Sequence, residues 1–282
     1  MAGTAVAQQD APSSQIASVQ AARTVDFVLE QSYRAMYNLD FDAALRKTQE
    51  AKALDSTDPT PWMAQACAVL FREFNRLHVL RSEMFASDAQ FDARPAQTWN
   101  PLARKQFDDA LAGAERVANA RLDGDKYDAK ALFALTLVNG LRADDSALIS
   151  KKNLTALSYT KTADAFAERL LARYPDYYDA RIATGMGKYI IGGKAAPVRW
   201  MLRLGGLKGD QAEGVRELNL VADRGHYLAP FAQILLSFDD LRHKNKESAR
   251  KRLESLHERF PGNTLFIEEI AKLDQPTGVA GH

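Results

Sequence analysis

Apolar residues recur along most of this chain at intervals of three and four positions, which is the spacing of an amphipathic α-helix. The pattern predicts a first helix over residues 25–38 and a second over residues 41–54, separated by a break at Asn38-Leu39-Asp40. The inward positions of this pair are Val25, Val28, Leu29, Ala35, Met36, Phe41, Ala44, Leu45, Thr48 and Ala51. We therefore expect the folded part of the chain to begin with a helical hairpin.

The same alternation of helices and short turns continues towards the end of the chain. The hairpins that follow are marked by Pro61-Trp62 and Ala66, by Tyr127 and Ala134, by Tyr178 and Gly185, and by Ser237 and Ala249. The first helix of the second hairpin is predicted to run to about Phe85, and the second helix of the third hairpin to start at Thr162. Residues 264–274 are expected to form a capping helix.

The hairpins are interrupted at one recurring place, between the first and the second helix of a pair. The interruptions are predicted at about 85–103, 143–158 and 191–209. Against a repeat of about 34 residues, they add roughly 30 residues to the second hairpin and roughly 17 to the third and fourth. Because regular hairpins supply only the frame, we expect the specific properties of the protein to lie in these insertions.

The first hairpin resembles the tetratricopeptide repeat (TPR) family. The matching residues are Ser32 in the first helix, Phe41, Ala44 and Ala51 in the second, and Asp58-Pro59 at the terminal turn. Residues 160–265, with Tyr174-Pro175 and Phe260-Pro261, are also similar to bacterial TPR-like proteins of unknown role and, more distantly, to the eukaryotic tetratricopeptide repeat 39 family. The resemblance implies an all-α fold, an α-solenoid of about five TPR-like hairpins over residues 23–275, in an adaptor-like protein.

Composition and charge exclude several classes of protein. The 37 Lys and Arg residues nearly balance the 36 Asp and Glu residues, so no global field attracts nucleic acid, and we expect no nucleic-acid partner. The single cysteine, Cys67, excludes an internal disulfide and a multi-cysteine metal site, and we expect it to be a small buried apolar residue. No run approaches the roughly 20 apolar residues that span a bilayer.

The two ends of the chain are expected to lie outside the repeat domain, as an N-terminal segment 1–22 and a tail 276–282. Ala5-Val6-Ala7 has the small-x-small form of a signal-peptidase site, although the charged start and the long apolar stretch of a signal are missing. The segment is either the remnant of a signal peptide, which predicts a periplasmic or exported protein, or a disordered alanine-rich tail. The protein is otherwise expected in the cytoplasm.

We predict no catalytic, metal or cofactor site. The glycine-rich stretch 187–195 resembles a phosphate-binding loop only superficially, since its spacing is off by one and no Ser or Thr follows Lys194. The histidines form no His-Glu-x-x-His pair. Neighbouring acidic residues such as Asp144-Asp145 point about 100° apart on a helix and do not converge on one substrate atom. The protein is therefore not expected to be an enzyme.

In a helix-pair solenoid the first helices line the concave wall, so residues on these helices are candidates for binding a partner. The resemblance to the TPR family implies that its inward positions fall here on the candidates Tyr33, Tyr37, Met186, Tyr189, Phe231 and Phe238. Their apolar character allows three interpretations: the insertions fill the groove, an apolar peptide or helix docks in it, or the inward face is assigned wrongly by one position.

Trp200 and Arg203 are further candidates, because the segment 194–208 mixes apolar and basic residues. This segment is expected to pack inside the protein, to contact a partner or, as the least favoured alternative, to lie on a membrane surface. Together the predictions favour a non-catalytic TPR-like scaffold, in the bacterial cell envelope, that binds a protein or peptide. The alternative is a small-molecule or lipid carrier whose groove is enclosed by the insertions.

Overall fold

The computed structural model of the chain describes residues 24–82, 94–194 and 209–274. In these ranges the chain forms eleven α-helices and no β-strand, which confirms the all-α prediction there. The helices are α1 (Val25–Tyr37), α2 (Phe41–Leu54), α3 (Thr60–Arg76), α4 (Pro101–Gly124), α5 (Ala129–Asp144), α6 (Asn153–Arg173), α7 (Arg181–Gly192), α8 (Gln211–Arg224), α9 (Ala229–Arg242), α10 (Lys246–Arg259) and α11 (Thr264–Leu273). The predicted end segments 1–22 and 276–282 lie outside the described residues.

Short polar side chains set where many of these helices begin. The first backbone N–H groups of a helix have no partner within it, and a side-chain oxygen of the preceding residue can accept from them. The Asp40 carboxylate accepts from the Ala43 amide (2.9 Å), and the Asp128 carboxylate accepts from the Ala131 amide (2.8 Å). The same role is played by Thr24, Asn100, Asp210, Asn245 and Asn263. These caps place α2 and α10 where the sequence pattern predicted helices.

Three odd-numbered helices end in the same left-handed turn. Leu39 after α1, His78 after α3 and Lys244 after α9 have φ angles of 62°, 53° and 59°. In each turn the amide of the next residue donates to a carbonyl oxygen five residues earlier, which satisfies the last turn of the helix. Because residues with a Cβ seldom adopt this conformation, its recurrence indicates a repeated backbone pattern.

The helices pack consecutively in two layers. Each helix contacts the next one along the chain, while α3 also contacts α1 and α5, and α5 also contacts α7. The odd-numbered helices from α1 to α7 thus form one continuous layer, which the even-numbered helices cover. Phe74, Phe107 and Phe133 are fully buried in this apolar core. Burying a side chain of this size contributes about 2–3 kcal/mol.

Two glycines let neighbouring helices approach closely. Trp62 of α3 lies directly on Gly113 of α4, where a Cβ would collide with the indole ring. On α8, a Cβ at Gly214 would stand 2.6 Å from the amide nitrogen of Tyr189 and 2.7 Å from the carbonyl oxygen of Gly185. The helices α7 and α8 therefore meet backbone to backbone, and only glycine fits at the contact.

Two predicted boundaries are wrong. The helix α3 ends at Arg76 and not near Phe85, because His78 turns the chain out of the helix while Val79 stays fully buried. The predicted interruption at 143–158 is largely helical, since α5 continues into a π-helix at Asp145–Ile149 and α6 already begins at Asn153. A π-helix adds a residue to the turn and so disrupts the periodicity from which helices are predicted.

Candidate functional site

The first helix packs against the last hairpin, and two of the predicted binding residues lie in that contact. The Tyr33 ring stacks on the Tyr227 ring with centroids 4.9 Å apart, and the Tyr37 ring lies 5.2 Å from the Phe260 ring. The Tyr37 hydroxyl donates to the carbonyl oxygen of Tyr227 (2.9 Å), and the Asn263 amide donates to the carbonyl oxygen of Tyr37 (2.9 Å). We name these five residues the closure contact, because they join the two ends of the helical array.

Burial makes the closure contact part of the core. Tyr33 and Tyr37 are 3% and 8% exposed, and burial raises the pKa of both phenols well above its ordinary value. Met63 of α3 accepts from the Tyr33 hydroxyl (3.4 Å), and Tyr227 and Phe260 cover the two rings. The turns on either side of the last hairpin therefore occupy the place where the sequence predicted a groove beside these tyrosines. A partner therefore has no access to Tyr33 or Tyr37 unless the closure contact opens.

The buried carboxylate of Asp179 fixes the loop that carries Tyr227. Asp179 lies in the short 3-10 helix Tyr178–Ala180, and its two oxygens accept from the amides of Tyr227 (2.9 Å) and Leu228 (3.1 Å). Burial raises the pKa of this carboxyl, and the two backbone N–H groups offset part of the increase. The loop before α9 is thereby held against the segment that precedes α7.

A charged network borders the closure contact. Lys130 of α5 donates to the almost fully buried Asp58 (2.6 Å) and reaches Asp26 of α1 at 3.4 Å. The Tyr227 hydroxyl donates to the same Asp26 carboxylate (3.3 Å). These bonds tie the closure contact to α5, in the middle of the array.

The other predicted residues of the concave wall lie on α7 and α9 and keep part of their surface exposed. They are Met186, Tyr189, Phe231 and Phe238. The Tyr189 hydroxyl donates to Asp239 (2.8 Å), which joins α7 to α9, and burial together with this carboxylate raises the pKa of Tyr189 to about 12. Ile190, next to Tyr189, is 42% exposed. We name these four residues and Ile190 the α7–α9 surface.

Contacts with α8 and α3 hold the α7–α9 surface in place. Glu217 of α8 is buried and accepts from the Thr184 hydroxyl and from the Lys188 ammonium group (2.6 Å), which holds α7 on α8. Phe231 packs edge-on against Phe71 of α3, with ring centroids 5.5 Å apart. The surface therefore rests on α8 at one side and on α3 at the other.

The remaining two predicted residues, Trp200 and Arg203, lie outside the described residues. The chain leaves the described part after Lys194 and returns at Gly209. Gly192 and Gly209 lie in backbone contact, so both ends of the insertion meet at the junction of α7 and α8. This junction follows directly after Ile190 of the α7–α9 surface.

One acidic residue at the end of α5 has a strongly altered pKa. Burial, followed by the charge of neighbouring Asp145, raises the pKa of Asp144 to about 7, although the side chain keeps some solvent exposure. The neighbouring Asp145 carboxylate accepts from the Trp99 indole (2.8 Å) and from the Arg104 guanidinium (2.8 Å). The pKa of about 7 places the proton exchange of Asp144 near neutral pH.

The Cys67 thiol is buried as predicted, and burial, with a smaller contribution from Asp144, raises its pKa to about 12.

Replacing Asp144 by asparagine is expected to stabilise the protein at about pH 8 by about 2 kcal/mol, about half of what the full pKa shift gives because the side chain is partly exposed, and to change little at about pH 4. The pKa of about 7 in the folded protein lies above the ordinary value of 3.8, so the folded state binds an extra proton between these values. Stability is then lost as the pH rises from about 4 to about 7 and stays low above that, and Asp144→Asn removes this loss. Urea unfolding at both pH values measures the effect.

The matched control is Asp145→Asn, which weakens the ion pair with Arg104 and is expected to destabilise the protein at both pH values. A lower stability of Asp144→Asn at about pH 8 would contradict the assignment of the raised pKa.

The described ranges contain no group of three or more His, Cys, Asp and Glu side chains that could hold a metal ion. Among the helices that the structure describes, none is long and apolar enough to cross a bilayer. Residues 187–192 of the glycine-rich stretch discounted as a phosphate loop form the last turns of α7, where Gly187 packs against Thr160 of α6. Its glycines therefore serve helix packing.

Comparison with known proteins identifies no relative. No protein-family model, no curated protein and no solved structure matches the chain. Arguments about function consequently rest on the residues and contacts described above.

Proposed function

We propose that this chain is a non-catalytic helical scaffold of TPR-like hairpins that binds a protein or peptide partner. The observation that carries the proposal is the α7–α9 surface, where apolar and aromatic side chains stay partly exposed on two helices of fixed position. Partly exposed apolar patches with a polar border are typical of protein-binding sites. Side chains that are held in place before binding lose less entropy when a partner docks.

Contacts between hairpin helices support the TPR-like interpretation. Ser32 and Ala44, two of the residues on which the resemblance rests, meet in the structure, because the Ser32 hydroxyl donates to the Ala44 carbonyl oxygen (2.9 Å). The left-handed turns after α1, α3 and α9 recur at equivalent positions of the proposed repeats. Pairing the helices in order yields five hairpins, with α11 left as the capping helix. The proposed location in the cell envelope depends on Ala5-Val6-Ala7, outside the described residues.

Charging the α7–α9 surface is expected to abolish partner capture. Ile190→Glu places a carboxylate on the exposed part of this surface, where its desolvation would oppose an apolar contact. The tagged protein is used to purify partners from its native host, and mass spectrometry compares the wild type with the variant. We expect at least one enriched protein to fall about tenfold or more with Ile190→Glu.

Leu220→Glu is the matched control, because Leu220 is a comparably exposed aliphatic residue on α8 (37% against 42% for Ile190). It should leave the captured partner unchanged, and both variants should unfold at the same temperature as the wild type. Equal capture by Ile190→Glu and the wild type would reject the α7–α9 surface as the binding site.

The closure contact favours a second candidate, a carrier of a small apolar molecule or lipid. A helical array whose ends are joined can enclose a ligand, whereas an open array cannot. Native mass spectrometry of protein purified from its host would detect a bound molecule that is released on unfolding. A spectrum with the mass of the bare chain would leave the scaffold as the remaining proposal.

A further inference from the structure

An open depression of about 400 Å³ runs along the face of α6 that points away from α5. Its lining residues are Ser158, Lys161, Thr162, Ala165, Phe166 and Arg169. They recur at intervals of three and four positions on one helix, so the depression extends about 16 Å along the helix axis. This length matches about three turns of a second helix.

Apolar groups form the floor and the two ends of the depression. Ala165 and Phe166 lie at its centre. Leu154, one turn before Ser158 on the same face of α6, is 85% exposed, and Tyr127 beyond the other end is 39% exposed. Large apolar side chains this exposed, spaced along one groove, suit the anchor residues of an amphipathic helix.

The end near Tyr127 carries several cations beside Asp125, whose carboxylate accepts from the Tyr127 amide (2.9 Å). The Arg169 guanidinium lies 5.8 Å from the centre of the Tyr127 ring and donates to the Lys126 carbonyl oxygen, while the Lys126 ammonium group lies 5.0 Å from the same ring. Arg173, one turn further along α6, is exposed and lies over the ring of Tyr174. Three cations and two tyrosines therefore cluster where α6 ends beside the turn from α4 to α5.

Within the described ranges these three cations have no carboxylate partner, whereas many other basic residues do. Among the described residues, Lys105 pairs with Asp109 (2.6 Å), but no ion pair in the same ranges includes Lys126, Arg169 or Arg173. Glu168, the acidic residue nearest in sequence to Arg169, is exposed three positions after Ala165 and borders the depression about 100° around the helix from Arg169. The charge of the cluster is thus available to an acidic partner, which it would attract and orient.

We infer that the α6 surface, formed by this depression with Leu154, Lys126, Tyr127 and Arg173, binds an acidic amphipathic helix of a protein partner. The apolar stripe of such a helix would cover Phe166 and Ala165, and its carboxylates would pair with Lys126, Arg169 and Arg173. The α6 surface is separate from the α7–α9 surface and would provide a second binding face, beyond the function proposed above.

The test uses a fluorescent peptide of about 18 residues, with leucines at helical spacing and glutamates on both flanks. A scrambled peptide of the same composition is the first control. Fluorescence anisotropy with the full chain should show binding of the amphipathic peptide that weakens about tenfold or more between low and high salt. The double variant Lys126→Gln/Arg173→Gln and the single variant Ala165→Glu should each lower the affinity about tenfold or more.

Matched variants separate the α6 surface from charge effects elsewhere. Lys105→Gln/Lys251→Gln removes the same charge from α4 and α10, and Ala112→Glu adds a carboxylate on another exposed alanine. These two variants should leave the affinity for the peptide unchanged. Ile190→Glu should do the same, so the result at the α6 surface is independent of the result at the α7–α9 surface. Equal binding of the scrambled peptide, or unaltered binding by Ala165→Glu, would overturn the inference. The inference would also be overturned if Lys126→Gln/Arg173→Gln weakened the binding of phosphatidylglycerol vesicles but not the binding of the peptide.

Discussion

Gly214→Ala is expected to destabilise the protein by about 3 kcal/mol and to lower its melting temperature by roughly 6–10 °C. An added Cβ would stand 2.6 Å from the Tyr189 nitrogen and 2.7 Å from the Gly185 oxygen. Both are backbone atoms, so no side chain can rotate away, and α7 must separate from α8. Thermal and urea unfolding of the purified variant measure the loss.

The control is Gly140→Ala, because Gly140 also lies inside a helix but has no atom within 4 Å of a built Cβ. There the better helix propensity of alanine should stabilise the protein by about 0.5–1 kcal/mol. If both variants lost the same stability, close packing of α7 on α8 would not be the cause. Movement of α7 would also displace Tyr189, so Gly214→Ala should impair partner capture as well.

Tyr37→Ala is expected to cost about 3–5 kcal/mol and to release the last hairpin from α1. The substitution removes the ring that packs on Phe260 and the hydroxyl that donates to the Tyr227 carbonyl. Hydrogen exchange should therefore quicken in α1, α10 and α11 more than in α3 to α5. Small-angle scattering should report a larger radius of gyration. Tyr37→Phe, which loses only the hydrogen bond, should cost about 1–2 kcal/mol.

Phe107→Ala is the matched control for the closure contact. Phe107 is a fully buried aromatic residue on α4, where it stacks on Trp99 with ring centroids 5.1 Å apart. Its loss should cost a similar free energy but quicken exchange in α3 and α4. The same pattern of exchange in both variants would show that the closure contact does not hold the ends together.

Local sequence signals predicted most helices, and their success has a physical cause. The limits of α2 and α10 follow from an apolar stripe and from Asp40 and Asn245, which cap the helices with their own side chains. The end of α3 was missed because Leu77, Val79 and Leu80 continue the apolar pattern beyond Arg76 and still pack on the core. The apolar periodicity marks buried positions, and here the buried positions continue beyond the last residue of the helix.

The candidate site was less predictable than the helices. Tyr33 and Tyr37 were predicted to line a concave wall, and the structure buries both against Tyr227 and Phe260. These partners lie about two hundred positions away, and no local pattern pairs them. The α6 surface could not be predicted from the sequence, for another reason. Its residues are small, polar or basic, and a sequence pattern cannot tell an open depression from an ordinary solvated helix face.

The closure contact changes how the array is expected to assemble. In an open row of repeats each unit touches only its neighbours, so the terminal units fray independently and folding can start anywhere. Here the hydrogen bonds of Tyr37 reach across 190 and 226 positions of the chain. Because closing a long loop costs more conformational entropy than pairing neighbouring helices, we expect the closure contact to form late in folding. Once the closure contact is made, the first and last hairpins are expected to unfold together as one cooperative unit.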